Sequence, residues 1–167
     1  MREGPENIMI IDDDPVIRTE LETLLSGNGF LPCVVTDFER TVCQVKDENP
    51  RLILLDIKLP GKSGFYLCSE IRSFSDVPVI FVTSSNTDMD ELNSIMLGGD
   101  AFITKPYNTA ILLAKIRSLL KRAWPGRQNE GLSWHGAVFH PEEGTLEYDD
   151  RKVELTKNEQ KILYYLF

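Results

Sequence analysis

Five side chains with useful chemistry stand directly after apolar segments of the sequence. They are Asp12 and Asp13, Asp56, Thr83, and Lys105. If the apolar segments are parallel strands, their carboxyl ends meet at one edge of the sheet, and the five side chains lie close together. Three neighbouring carboxylates repel each other unless a cation lies among them, and hard oxygen ligands favour Mg²⁺ or Mn²⁺. The pattern therefore predicts a divalent-cation site.

Thr83 and Lys105 add groups that could bind a phosphoryl group next to the metal. A cation and a lysine together neutralise negative charge, and a threonine hydroxyl can donate to a phosphoryl oxygen. Asp56 ends the four-residue apolar run Leu52–Leu55 and is followed at once by a Pro/Gly-rich turn. We therefore expect Asp56 to be the carboxylate that carries the phosphoryl group. Asp14 is interpreted differently, as a helix N-cap with Pro15 at the first helical position.

Apolar runs and amphipathic segments alternate five times between residues 7 and 122. Strands are predicted at 7–11, 30–35, 52–55, 77–82 and 100–104. Helices are predicted from Pro15 to the Gly27-Asn28-Gly29 stop and over 37–48, 64–74, 88–97 and 108–122. Strict strand–helix alternation is typical of an α/β fold with a doubly wound parallel sheet, whose right-handed crossovers place helices on both faces.

After residue 131, apolar and polar residues alternate with a period of two, which indicates a second, smaller unit built of strands. Residues 123–131 resemble a linker, and strands are expected within 132–139 and at 145–148 and 152–155. Thr156 and Glu159 fit a capping box that opens a final helix. About 36 residues cannot bury a convincing core alone, so we expect residues 132–167 to be an incomplete domain.

Composition narrows the class of protein further. The chain has 167 residues, 42% of them hydrophobic, and a formal net charge of -8, which argues against nucleic-acid binding by this chain alone. No apolar run approaches a membrane span, and the first residues have no signal-peptide character, so a cytoplasmic location is expected. Cys33, Cys43 and Cys68 lack metal-ligand spacing and are expected to be buried, reduced thiols.

The motifs at the four strand ends resemble the receiver domain of two-component response regulators over residues 7–122. They are Ile11-Asp12-Asp13-Asp14-Pro15, Leu55-Asp56-Ile57-Lys58-Leu59-Pro60-Gly61, Val82-Thr83-Ser84 and Thr104-Lys105-Pro106. The resemblance implies a flavodoxin-like fold and a phosphoacceptor at Asp56, loaded by a sensor histidine kinase. It also implies Mg²⁺ on Asp13, Asp56 and the backbone carbonyl of Lys58, with Asp12 assisting through water. Such a domain is a phosphoacceptor, with at most self-phosphorylation and autodephosphorylation chemistry, and is not a turnover enzyme.

The same resemblance implies a conformational switch. Thr83 and Phe102 would be the switch pair, and the Lys105–Pro106 peptide would be cis. A phosphoryl group would draw the Thr83 hydroxyl inward, and Phe102 would turn into the vacated space. This movement would reshape the surface formed by residues 88–122, called here the 88–122 face.

Residues 132–167 resemble the start of the winged-helix domain of the OmpR/PhoB subfamily, through the segment Leu155-Thr-Lys-Asn-Glu-Gln-Lys-Ile-Leu163. The recognition helix of that domain lies further along, so DNA binding is implied for a longer parent protein and not for this chain. The subfamily dimerises through charged residues on the 88–122 face. The positions that fit are Asp100, Lys115 and Arg122. The positions that depart are Glu91, Ala101 and Ile111, so a weaker homodimer is expected.

Two finer features concern signalling. Ser84 and Ser85 flank the phosphoryl site where the subfamily usually has other residues, which leaves the lifetime of the phosphorylated state open. Gly64-Phe65-Tyr66, Met89-Asp90 and Gly98-Gly99-Asp100 resemble regulators that are paired with antimicrobial-peptide-sensing kinases.

Parts of the sequence are also compatible with two other functions. Asp12-Asp-Asp14-Pro-Val also fits the signature of haloacid-dehalogenase-type phosphohydrolases, with Asp12 as nucleophile, but that function leaves the turn after Asp56 and residues 132–167 unexplained. A receiver-like interaction module that is never phosphorylated is the second alternative. The complete set of carboxylates and lysine argues against it.

Overall fold

Five short strands between residues 7 and 104 pair in parallel in the computed structural model. The structure describes residues 5–84, 87–124, 132–134, 136–140 and 143–166. The strand order is β2-β1-β3-β4-β5, so the alternating pattern is confirmed as a doubly wound sheet. The strands are β1 (Asn7–Ile11), β2 (Leu31–Val34), β3 (Leu52–Leu55), β4 (Val79–Thr83) and β5 (Ala101–Thr104). The helices are α1 (Pro15–Gly27), α2 (Thr41–Glu48), α3 (Gly64–Arg72), α4 (Asp88–Met96) and α5 (Thr109–Ala123).

The sheet carries a separate apolar core on each face because side chains along a strand alternate in direction. Ile8 and Ile10 of β1 pack in one core with residues of α1 and α5. Met9 and Ile11 pack in the other with residues of α2 and α3. Burial on both faces explains the continuous apolar runs, and each fully buried side chain of this size contributes about 1.5–3 kcal/mol.

Caps and turns set the element ends, and several differ slightly from the sequence prediction. Asp14 accepts from the Val16 amide at 2.9 Å, which confirms it as the cap of α1. The predicted 37–48 helix is split: a 3₁₀ turn at Phe38–Arg40 precedes α2. The Asp37 side chain accepts from Glu39 N at 3.2 Å and starts this tighter turn, because its carboxylate competes for the first amides.

The chain divides into two units, Met1–Ala123 and Trp124–Phe167. The second contains an antiparallel sheet of order β6-β7-β8-β9 followed by one helix. Its elements are β6 (Leu132–Trp134), β7 (Ala137–His140), β8 (Thr145–Tyr148), β9 (Arg151–Glu154) and α6 (Lys157–Leu166).

The expectation of one strand within 132–139 was wrong. The segment forms two strands, with Trp134 opposite Ala137 and Gly136 at φ 85° in the reversal between them. A left-handed φ suits glycine, so this residue permits a tight hairpin that the alternating pattern alone conceals. The predicted linker lies mostly outside the described residues, which resume at 132 after Trp124.

The predicted capping box of α6 is present. Glu159 Oε2 accepts from the Thr156 amide at 2.7 Å, and Thr156 Oγ1 accepts from Glu159 N at 3.4 Å. These reciprocal bonds satisfy two donors at the helix start. The Thr156 amide and the Thr156 hydroxyl both donate to the Glu159 carboxylate and lower its pKa. Among the described residues, no helix is long and apolar enough to cross a membrane.

Candidate phosphoacceptor and metal site

Asp56 lies at the carboxyl end of the central strand β3. Its amide donates to Ile11 O at 2.9 Å, continuing the pairing with β1 by one residue, and its side chain is 7% exposed. The Lys58 amide lies 3.4 Å from Asp56 Oδ1. The strand and the following turn therefore hold the carboxylate at the sheet edge with very little solvent contact.

Asp12 and Asp13 reach the same edge from the neighbouring strand β1. Asp12 is 3% exposed, and its Oδ1 accepts from the Asp14 amide at 2.9 Å, whereas Asp13 is exposed. Carboxylate oxygens of Asp12, Asp13 and Asp56 all lie within 4.8 Å of one another. The structure therefore brings together the three acidic side chains that the sequence predicted to meet.

Lys105 binds two of these carboxylates. Its ammonium lies 2.6 Å from Asp12 Oδ2 and 3.2 Å from Asp56 Oδ2, and its side chain is 14% exposed. The Lys105 amide donates to Thr83 O at 2.8 Å, which anchors the residue beside the end of β4. The lysine is thus placed by the sheet itself, and its charge lies within the acidic pocket.

The electrostatics of the pocket favour one further cation. Burial raises the pKa of the Asp12 carboxyl, and the hydrogen bond and charge of Lys105 offset that only in part. Burial alone would lower the pKa of Lys105, but its hydrogen bond to Asp12 and the charges of Asp12 and Asp56 outweigh that effect and raise it. One ammonium among three carboxylates leaves excess negative charge. Three oxygen donors of this kind, one of them exposed, fit Mg²⁺ or Mn²⁺ with retained water.

Thr83 and Phe102 lie on adjacent strands. Thr83 is fully buried and stands opposite Thr104 in the β4–β5 pairing, while Phe102 stands opposite Phe81. Phe102 is half-buried and packs against the core on the α2 and α3 side. The Lys105–Pro106 peptide bond is cis, the isomer that the resemblance implies.

Gly64 was missed by sequence reasoning, although it shapes the site. A Cβ at this position would overlap the backbone carbonyl of Asp56 and the Cα of Ile57, and its amide donates to Ile57 O at 2.7 Å. The only sequence signal is a glycine closing the Pro/Gly-rich turn. Lys58, the expected carbonyl ligand, is exposed and faces Ser63 in an isolated bridge within this turn.

The candidate dimer residues lie in the turn before β5 and on α5. Asp100 precedes β5 and forms an ion pair with Arg72 of the same chain at 2.9 Å, a partner that sequence reasoning did not find. Lys115 is half-buried and Arg122 exposed, both on α5, about two helical turns apart. Of the departing positions, Ile111 is 54% exposed and Ala101 half-buried.

The sheet order and the acidic edge define a class: α/β domains with a parallel sheet whose carboxyl ends carry a cluster of carboxylates and a lysine. Residues 8–117 match the family model described as response regulator receiver domain. The chain belongs to this family of two-component response regulators, and its relatives are of the OmpR/PhoB type. Because the chain belongs to this family, the alternative of a haloacid-dehalogenase-type phosphohydrolase is not retained.

Named relatives match both units of the chain. Transcriptional regulatory protein YxdJ of Bacillus subtilis (strain 168) is 37% identical over 163 residues, which are 95% of this chain and 71% of that protein. Sensory transduction protein BceR of Halalkalibacterium halodurans is 35% identical over 158 residues, covering 93% of this chain and 68% of that protein.

Solved structures match the first unit. The N-terminal domain of the nisin resistance regulator NsrR, described as a lantibiotic response regulator, is 38% identical with a TM-score of 0.64, covering 71% of this chain and 99% of that one. The BeF₃-activated receiver domain of Klebsiella pneumoniae RstA is 33% identical with a TM-score of 0.67, covering 70% and 99%.

Proposed function

We propose that Asp56 accepts a phosphoryl group from the phosphohistidine of a sensor kinase in a Mg²⁺-dependent reaction. The observation that carries this proposal is the position of the Lys105 ammonium, within 3.2 Å of a carboxylate oxygen on both Asp12 and Asp56. A fixed cation beside a buried carboxylate at the mouth of an acidic pocket suits an acyl phosphate, whose charge it neutralises. This cytoplasmic phosphoacceptor is distinct from a turnover enzyme, because its own side chain is the substrate.

The transfer uses few protein groups. An Asp56 carboxylate oxygen attacks phosphorus, the new oxygen–phosphorus bond forms as the phosphorus–nitrogen bond breaks, and the imidazole leaves with the electron pair. Asp13, Asp56 and the Lys58 carbonyl would hold Mg²⁺, with Asp12 acting through water. The bound ion would neutralise the phosphoryl oxygens. Lys105 and the Thr83 hydroxyl then stabilise the product by donating to those oxygens.

The response proceeds through Thr83 and Phe102. Because Thr83 is fully buried at the end of β4, a shift of its hydroxyl toward the phosphoryl group opens space in packed surroundings. Phe102 is half-buried one strand away and turns into that space. The consequence is a changed 88–122 face, through which two phosphorylated copies form a homodimer.

A groove next to the acceptor is the proposed docking surface for the kinase. It measures about 890 Å³ and lies between α1 and the segment after β5, with Val16, Ile17, Leu24 and Tyr107 among its lining side chains. Lys105 lines the groove and also contacts Asp56, so a helix lying there could present a phosphohistidine to the acceptor. Val16 is 62% exposed, so its replacement by glutamate should block transfer from the kinase while leaving small-donor phosphorylation intact.

The similarity to a lantibiotic response regulator suggests the stimulus. We propose that the cognate kinase responds to antimicrobial peptides of that kind, and that a longer protein containing this chain regulates transcription through its DNA-binding domain. In cells, nisin should increase Asp56 phosphorylation of the wild-type protein. No increase with nisin or related peptides would contradict the stimulus but not the acceptor.

The central experiment is a mass measurement. Incubation with phosphoramidate and Mg²⁺ should add one acid-labile phosphoryl group to the wild-type chain and none to Asp56→Ala. Asp12→Asn should still be labelled, though more slowly, whereas an Asp12 nucleophile would require complete loss. Label that persists in Asp56→Ala would refute the proposal, and a wild-type chain that is never labelled would favour the unphosphorylated module.

A further inference from the structure

Arg72, the last residue of α3, donates hydrogen bonds to two separate turns. Nη1 lies 2.6 Å from Val77 O and 3.3 Å from Ser75 O, in the turn that leads to β4. Nε lies 2.9 Å from Gly98 O, and Nη2 lies 2.9 Å from Asp100 Oδ2, in the turn between α4 and β5. These four contacts are called the Arg72 network. Its guanidinium is mostly enclosed, since the side chain is 20% exposed.

The network requires an arginine and a glycine at particular places. A guanidinium has five donors in a planar fork, whereas a lysine ammonium is a single point charge and cannot meet four acceptors in this arrangement. Gly98 has φ +92°, and a Cβ there would lie 3.0 Å from Cγ and Nε of Arg72. The turn between α4 and β5 is therefore shaped around the Arg72 side chain.

Asp100 is fixed by the same network. Its Oδ2 accepts from Val79 N at 2.9 Å as well as from Arg72, and its own amide donates to Val79 O at 2.9 Å. The carboxylate is thus held by the end of α3 and the start of β4. Asp100 is also one of the residues expected to meet a second copy of the chain, so Arg72 determines where that residue points.

The carboxyl-terminal end of α4 depends on α3 as well. Cys68 Sγ lies 3.6 Å from Leu97 O, one helical turn before Arg72 reaches Gly98. None of the described side chains within α4 is buried, and the large apolar ones are 49–73% exposed. Cys68 and Arg72 of α3 therefore hold the backbone carbonyls of Leu97 and Gly98, directly after this helix. At its other end, α3 begins at Gly64, against the backbone of Asp56.

We propose that Arg72 is a positioning residue for the 88–122 face. It holds Asp100 and the end of α4 in the arrangement that a second phosphorylated copy binds, and it takes no part in phosphoryl transfer. This inference rests on the proposed function, namely phosphorylation of Asp56 followed by dimerisation. It adds a structural requirement outside the phosphoryl site.

The test compares Arg72→Lys with Arg40→Lys, a conservative control at an exposed position. Phosphorylation with phosphoramidate and Mg²⁺ is measured by mass, dimerisation of the phosphorylated chains by sedimentation, and amide exchange at Val79 and residues 97–100 by hydrogen–deuterium methods. Asp100→Asn is a second variant for the case in which Arg72→Lys does not fold. It weakens only one of the four contacts of the Arg72 network, so we expect it to fold.

The expected result is normal labelling of Asp56, faster exchange at Val79 and residues 97–100, and a dimer Kd weakened about 10-fold in Arg72→Lys. Asp100→Asn should weaken dimerisation to a similar degree, and the double variant little more, because both changes weaken the same contact between Arg72 and Asp100. A wild-type dimer Kd in folded Arg72→Lys would overturn the inference, as would unchanged exchange. Failure of the proposed function is distinguishable, since then the wild-type chain is not labelled or stays monomeric.

Discussion

The two sheets of this chain differ in how their strands are buried. All four residues of β3 and all five of β4 are buried, whereas all four residues of β9 are exposed. The parallel sheet lies between two layers of helices, so the side chains along its central strands pack in the two apolar cores. The polar side chains of the candidate site lie where the strands end. The small antiparallel sheet has an exposed edge strand bearing Arg151, Lys152 and Glu154, charges that discourage pairing with other strands. We infer that burial on both faces holds the ends of β3 and β4 in place, and with them the side chains of the candidate site.

One matched pair of substitutions tests that difference directly. Phe81 of β4 and Phe139 of β7 are both essentially buried, at 0% and 1% exposure. Phe81→Ala should lower the free energy of unfolding of the first unit by about 4 kcal/mol, since it opens a cavity between rigid strands and helices. Phe139→Ala should cost about 3 kcal/mol in the second unit and leave the first unchanged. Hydrogen exchange resolved by residue measures both, and equal effects of the two changes on both units would contradict the division.

The glycine beside Asp56 gives the next largest effect. Gly64→Ala should lower the free energy of unfolding of the first unit by about 2–3 kcal/mol, because the added Cβ meets backbone that cannot move without displacing Asp56. It should also slow phosphorylation of Asp56. Gly27→Ala is the matched control, since nothing lies within 4 Å of a Cβ there. Chemical denaturation and the labelling rate are the measurements, and a Gly64→Ala chain as stable and reactive as the control would show that the close approach is not required.

The sequence predicted the elements whose signals are local. Continuous apolar runs gave β1, β3 and β4, and cap residues such as Asp14 gave the helix starts. Four strand ends with polar side chains identified the site, because parallel topology alone brings them together. What escaped prediction depends on contacts that exist only in the folded chain: Gly64 lies against the Asp56 carbonyl across a turn, and Arg72 pairs with Asp100, which is distant in sequence. A charged residue at a helix end and a glycine in a turn have many uses, and only the folded chain distinguishes them.

A smaller effect is expected at the start of α6 in the second unit. Thr156→Ala removes the hydroxyl that accepts from Glu159 N and should cost about 1 kcal/mol of local stability. Thr156→Ser keeps the hydroxyl and should cost at most a few tenths of that, about 0.3 kcal/mol. Amide exchange in the first turn of α6 is the measurement. If serine and alanine were equally destabilising, the lost packing of the methyl group would be responsible and not the cap.

The smallest change in stability, and the sharpest separation of packing from chemistry, is expected at Asp13. Without metal, Asp13→Asn should change the free energy of unfolding by less than about 0.5 kcal/mol. The side chain is exposed, and the substitution only relieves repulsion among the three carboxylates. With Mg²⁺, the wild-type Tm should rise by ligand linkage, and that rise should disappear in the variant. Thermal unfolding in EDTA and in Mg²⁺ measures both quantities, with Asp14→Asn as the control, since asparagine also caps helices. If Asp13→Asn kept the full Mg²⁺-dependent rise, Asp13 would not be a ligand of the ion, which contradicts the role proposed for it.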